Sequence, residues 1–247
     1  MSELEPFFNS AEECATYEQF CAEQERGGGR FELAEPALVC RWRMARRGVP
    51  MLNRHIRALS QRVVNGAPLT TNMLSWAKQH VEWSLAAGDY QDPNGVLMTV
   101  IDVNGDALMS VGPYGPLTDR SRDALVARAE EARREQAKTG IAPELLAAVT
   151  PEGRMLVFAA PDEHLCGTAT LVEQLAATQG REAVRALGGG ARLADALAVV
   201  EEGSVVFLIS DEHGVVVEDE QAAPVPVSAE ALATAHAFAD GLAKLFK

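Results

Sequence analysis

Residues 96–111 read VLMTVIDVNGDALMSV, two apolar runs broken by Asn104-Gly105. Asn-Gly readily supplies the positive φ angles of a tight hairpin turn, and apolar runs on either side read as its strands. A chain with this unit holds at least one antiparallel strand pair. The same shape recurs at 205–220, VVFLISDEHGVVVEDE, where Gly214 closes the turn. After each unit comes a proline-marked break and then a helix: Thr118 is the expected cap of one, after Gly115-Pro116-Leu117, and Ser228 of the other, after Pro224-Val225-Pro226-Val227. A looser version spans 154–180: a strand, a polar break, a short second strand, then a helix capped by Thr170 with Glu173 three residues on. Two to three ββα units in an irregular array define an α+β protein, with mainly antiparallel sheets from β-hairpins covered by helices.

Other stretches complete the layout. SAEECATYEQFCAEQE (10–25) opens with a capping box from Ser10 to Glu13 and stops at Gly27-Gly28-Gly29. A strand is expected over 37–44 and a helix or strand-to-helix entry over 52–64. The strongest helix signal is 70–87, where Leu74, Val81 and Leu85 form one stripe and Trp76, His80 and Trp83 another. Two tryptophans on one face lead to the expectation that core or a second subunit covers them, a homodimer being the candidate assembly. The stretches 181–187 and 191–202 look helical around Gly188-Gly189-Gly190. Division is expected near 112–118, giving an N-terminal helix over 1–30, a basic α+β subdomain over 31–112 and an acidic one over 113–247.

The chain has 247 residues and a net charge of −13, which argues against nucleic acid as a partner. No apolar run approaches the roughly 18 residues of a membrane span, and MSELEPFFNS lacks the regions of a signal peptide, so a soluble cytoplasmic protein is expected. The cysteines Cys14, Cys21, Cys40 and Cys166 show no zinc spacing and read as buried, reduced thiols. No phosphate loop, GxSxG elbow or HExxH signature is present.

Charge is distributed unevenly. Between Glu35 and Glu82 there is no acid, while Arg41, Arg43, Arg46, Arg47, Arg54, Arg57, Arg62 and Lys78 fall there. If Cys40–Arg43 is a strand, Arg41 and Arg43 share a face; if 52–64 is helical, Arg54 and Arg57 are neighbours. The candidate anion-binding residues are therefore Arg54, with Arg41, Arg43 and Arg57. The motif Asp-Glu-His ends an apolar run twice, at 162–164 and 211–213. Asp and Gly are turn formers, so both are expected to be turns; a shared metal site is the competing reading, and no metal is expected.

LVCRWRMARRGVPMLNRHIRALSQRVVNGAPL (38–69) resembles the opening of class IV, fold-type IV PLP-dependent aminotransferases and aminodeoxychorismate lyases. Gly48, Pro50, Arg54, His55, Ile56 and Leu59 occupy positions similar to that family's G-x-P turn and its R-H-L-x-R-L helix. The resemblance implies an arginine facing a cofactor phosphate, which nominates Arg54, and a Schiff-base lysine on a strand about 100 residues further on. The chain's lysines are Lys78, Lys138, Lys244 and Lys247, and none falls on an expected strand. The leading expectation is a non-catalytic protein that binds a small anionic ligand or a protein partner, with no cofactor. The alternative is a PLP-dependent class IV aminotransferase-like enzyme or its degenerate homologue, the only reading in which PLP enters. A metal-assisted enzyme of another kind is the second alternative.

Overall fold

The computed structural model describes residues 33–88, 91–188, 192–198, 200–222 and 226–247. The helix expected over 10–25, its glycine stop, Cys14, Cys21, Gly189, Gly190, Pro224 and Val225 lie outside the described residues.

The apolar alternation after Pro36 makes β1 (Pro36–Arg43), with Leu38, Cys40 and Trp42 on the buried face and Arg41 and Arg43 on the other. β4 (Val96–Asp102) and β5 (Ala107–Gly112) are the Asn-Gly hairpin. β1 pairs antiparallel with β4, so the three-stranded order is β1-β4-β5. Two helices cover the buried face: α1 (Leu52–Leu59) and α2 (Thr71–Ala87). α2 contributes Met73, Ala77, Val81 and Leu85, four successive i,i+4 positions. Its start is fixed by Thr70, whose side chain accepts the Met73 amide at 3.1 Å. β2 (Val63–Val64) and β3 (Ala67–Pro68) form a minimal hairpin.

The second sheet has five strands in the order β10-β9-β6-β7-β8: β6 (Glu144–Val149), β7 (Met155–Val157), β8 (Ala183–Arg185), β9 (Val205–Ser210) and β10 (Gly214–Val217). Pairing is antiparallel except between β7 and β8. The architecture is α+β with mainly antiparallel sheets. Helices sandwich this second sheet. Leu145, Ala147, Val205, Phe207 and Ile209 face α4 (Gly167–Thr178) and α6 (Ala229–Ala243). Leu146, Ala148, Val206 and Leu208 face α3 (Arg122–Thr139) and α5 (Leu193–Ala198). Every residue of β6 and β9 is therefore buried. Such strands read as unbroken apolar runs without alternation.

Several local expectations are corrected. α3 is capped by Ser121, which accepts the Ala124 amide at 3.3 Å, and not by Thr118; Asp119 Oδ1 takes the Ser121 amide at 2.9 Å and delays the helix entry. α4 begins at Gly167, one turn before Thr170, whose hydroxyl donates to the Gly167 carbonyl at 2.7 Å. Residues 183–185 are a strand, held by parallel pairing to β7, and not a helix. Within the stretch 191–202 expected to be helical, the described helix is Leu193–Ala198, and residues 201–204 are not helical. Trp76 stacks on His80 with ring centroids 4.7 Å apart, but Trp83 is 60% exposed, so the described residues do not cover the whole stripe.

Candidate functional site

The two sheets meet around the turn Asp211–His213. Ser210 Oγ accepts the amides of Glu212 and His213 at 3.2 and 3.1 Å, which fixes the turn after β9. β1 runs alongside, the Arg43 amide donating to the Asp211 carbonyl at 3.3 Å. Asp211 is buried. Its Oδ1 accepts the Thr168 amide at 2.8 Å and its Oδ2 lies 3.3 Å from His55 Nδ1.

This geometry follows from local chemistry. The residue before α4 is Cys166, whose side chain makes no cap hydrogen bond. Asp211 supplies the missing acceptor from a different part of the chain, at a helix end whose free amides and dipole favour negative charge. α1 is preceded by Met51, held in the left-handed region at φ 62°, whose carbonyl accepts the Arg54 amide at 2.7 Å. α1 presses on α4 so closely that a Cβ at Gly167 would stand 2.7 Å from His55 Nδ1 and 3.2 Å from the Arg54 carbonyl carbon. Trp42 closes the other side, stacked on His55 with centroids 5.4 Å apart.

Burial pushes the Asp211 carboxyl up, but the His55 imidazole and the hydrogen bonds from Thr168 outweigh it and hold the group below its usual range. Burial pushes the neighbouring Cys40 thiol up to about 11 and Cys166 well above its usual value. The cavity among Cys40, Trp42, His55, Arg62 and Asp211 is only about 10 Å³.

The four arginines nominated from sequence do not converge. Arg54 donates to Thr170 Oγ1 at 3.2 Å and to Gln174 Oε1, both on α4. The second arginine of the R-H-L-x-R-L pattern falls on Ala58, which packs against the core of the five-stranded sheet. Arg57 is exposed on α1. Arg41 and Arg43 share one face of β1 but line different cavities. Arg41 borders a cleft of about 550 Å³ with Arg128, Lys138, Glu144, Ser210 and Glu212. There Arg128 is locked to Glu144 by bonds of 3.0 and 2.6 Å, while Arg41 and Lys138 have no acidic partner among the described residues. Arg43 borders the second cavity with Tyr114 and His213.

The two Asp-Glu-His motifs differ. The first lies in an exposed turn, where Glu163 takes the Ala160 amide at 2.9 Å and pairs with Arg133 at 3.5 Å. The second is the buried turn at the centre of the molecule. Among the described residues no group of three His, Cys, Asp or Glu is placed to hold a metal ion. Sequence reasoning singled out Asp211 as a turn residue but not its reach to Thr168 and His55; the one available signal was an acidic turn placed immediately after a fully apolar strand.

PLP needs an amine for its aldehyde and a seat for its phosphate. The described lysines are Lys78 on α2, Lys138 near the end of α3, and Lys244 and Lys247 beyond α6; none is on a strand. The amide end of α4, which lies beside Arg54 and is the kind of helix terminus that holds a phosphate, is taken by the Asp211 carboxylate. The residues present do not fit the cofactor.

No family model matches the sequence, and no curated protein matches it. Solved structures do match its fold. A hypothetical aminotransferase from Mycobacterium tuberculosis in its PLP-bound form is 13% identical, covering 87% of this chain and 94% of its own, with a TM-score of 0.51. The apo form of a hypothetical aminotransferase from the same organism is 14% identical with a TM-score of 0.50. The 4-amino-4-deoxychorismate lyase from Pseudomonas aeruginosa is 12% identical, covering 88% of this chain and 97% of its own, with a TM-score of 0.50. The resemblance read in residues 38–69 thus extends, as a likeness of fold, across both sheets.

Proposed function

We propose that this chain is a degenerate homologue of the PLP-dependent aminotransferase and lyase fold, one that binds a small anionic ligand and forms no Schiff base. The observation that carries this reading is the Asp211 carboxylate on the Thr168 amide, an internal anion that occupies the helix end next to Arg54, the arginine the family resemblance turns toward a cofactor phosphate. The fold likeness to an aminotransferase and a lyase favours this descent over an unrelated binding protein. Arg41 takes the lead role in anion binding, with Lys138 across the cleft; Arg54 is engaged by Thr170 and Gln174. Forked guanidinium donors suit a carboxylate or phosphate in such a cleft.

Titration with PLP, borohydride reduction and peptide mapping test the reading, alongside calorimetry with succinate and inorganic phosphate. The expected result is no stoichiometric lysine adduct, and binding of at least one anion that weakens about tenfold, or about 1.4 kcal/mol, in Arg41→Gln. A stoichiometric adduct on Lys138, with a visible absorbance band, would instead establish a PLP enzyme.

A further inference from the structure

On the other side of the Asp211–His213 turn, the guanidinium carbon of Arg43 lies 3.6 Å from the centre of the Tyr114 ring and 4.7 Å from that of Phe246. Aromatic rings attract a guanidinium through its faces. Its N–H donors lie in the plane, so stacking leaves the donor edge unused. That edge has no acceptor here: Arg43 Nε is buried without a hydrogen-bond partner, and no carboxylate pairs with Arg43 among the described residues. A buried charge-bearing donor without a partner is costly, and a native structure seldom keeps one without use.

The surroundings form a pocket. Its volume is about 250 Å³, and its walls include Leu117, Val215, Leu242 and the Phe246 ring. His213 lines it too, tilted against Tyr114 with centroids 5.7 Å apart. The His213 side chain is only 5% exposed and its Nδ1 is also buried without a partner. Burial lowers its pKa, so at neutral pH the ring is uncharged and offers one donor and one acceptor. Arg120 and Asp240, both exposed, stand at the pocket's rim. Apolar walls with a few convergent polar groups are the usual composition of a small-molecule site.

We propose that this pocket is a binding site for a small monocarboxylic acid with an apolar body, its carboxylate forked on the edge of Arg43 and its body against Leu117, Val215 and Leu242. The chemistry follows from the parts. A planar fork held against two aromatic rings is preorganised for a planar carboxylate, which accepts two parallel hydrogen bonds. A volume equal to about eight waters, at roughly 30 Å³ each, limits the ligand to about a dozen heavy atoms. The site is separate from the Arg41 cleft and independent of whether that cleft binds anions.

Calorimetry with sodium benzoate and sodium hexanoate tests this, with benzamide as the uncharged control. Wild type is expected to bind at least one of the two acids and not benzamide. Arg43→Gln and Arg43→Lys are each expected to weaken binding tenfold or more, the lysine because it keeps the charge and loses the fork. Arg154→Gln, at an exposed residue that lines neither cavity, is expected to leave this binding unchanged. Saturation-transfer NMR on wild type reads the same site without a variant, with ligand protons near the Phe246 and Tyr114 rings. Failure of both acids to bind folded wild type, equal binding of benzamide, or affinity unchanged in Arg43→Gln would overturn the proposal.

Discussion

Asp211 Oδ2 lies 3.3 Å from His55 Nδ1, a contact that ties the turn after β9 to helix α1 beside the three-stranded sheet. The distance is long for a hydrogen bond, and His55 Nδ1 has no hydrogen-bond partner of good geometry among the described residues. The other oxygen caps α4 through Thr168. One buried carboxylate thus joins elements from both sheets.

The first prediction concerns pH. The Asp211 carboxyl is held below its ordinary range in the folded protein. A depressed pKa contributes stability that is present above the unfolded value, near 3.9, and is lost as pH falls through the folded value. Asp211→Ala leaves His55 and the Thr168 amide without their acceptor and is expected to cost roughly 3 kcal/mol at pH 7. Urea unfolding of wild type and variant should show that difference shrinking below about pH 4. A difference that is constant from pH 7 to pH 3 would show that the carboxylate charge contributes nothing.

Thiol chemistry gives the second. With burial pushing Cys40 to about 11, its thiolate fraction at pH 8 is about one in a thousand. Cys166 is shifted in the same direction and is fully buried. Timed iodoacetamide labelling read by peptide mass is expected to leave both unmodified in the native protein and to modify both in urea. Rapid native labelling of either would contradict the closed packing around Asp211.

How much of this was legible in the sequence depends on the range of the interaction. The Asn104-Gly105 hairpin, β1 and the Thr70-capped α2 are set by local periodicity and turn chemistry, and all three are found where expected. β6, although central, gives a weaker signal than the equally buried β9, because its run begins at Glu144, whose carboxylate is neutralised by Arg128 of α3 in a contact no local pattern shows. β8 was read as helical because only its parallel partner β7, distant in sequence, makes it a strand. Asp211 was legible as a turn former, but no spacing rule links it to His55. Arg41 and Arg43 were correctly placed on one face; the Asp211–His213 turn that gives them different cavities is a tertiary feature.

The third prediction concerns assembly. Trp83 is 60% exposed in the single chain, close to the exposed Glu82. If nothing covers Trp83, Trp83→Lys should change stability by no more than about 0.5 kcal/mol, as surface substitutions usually do. If a second copy covers it, the variant should shift the sedimentation coefficient toward monomer at micromolar protein. Measuring both for wild type and variant decides whether the α2 stripe is an interface.

The last prediction asks whether Asp211 stands where an anion would bind. Truncating it to alanine removes the carboxylate but keeps the Thr168 amide, the helix α4 terminus and the His55 ring around the vacated space. Those groups satisfied a negative charge before truncation, and helix ends of this kind hold free anions. A small carboxylate added in solution should then replace the lost side chain. Binding to the folded state alone raises stability by RT ln(1 + [L]/Kd), about 2.7 kcal/mol at a hundredfold excess over Kd. Formate and acetate are therefore expected to raise the Tm of Asp211→Ala by several degrees in a saturable way, at constant ionic strength set with chloride. Wild type, whose site is filled by its own carboxylate, should show only the smaller rise that anion binding elsewhere on the protein gives, and so should Asp211→Asn, whose amide oxygen keeps an acceptor in place. Inorganic phosphate, larger than the space beside Trp42 and Gly167 allows, should rescue less than formate. Equal shifts in all three proteins would mean that the anions act on the general surface, and that Asp211 is a helix cap with no anion site beneath it.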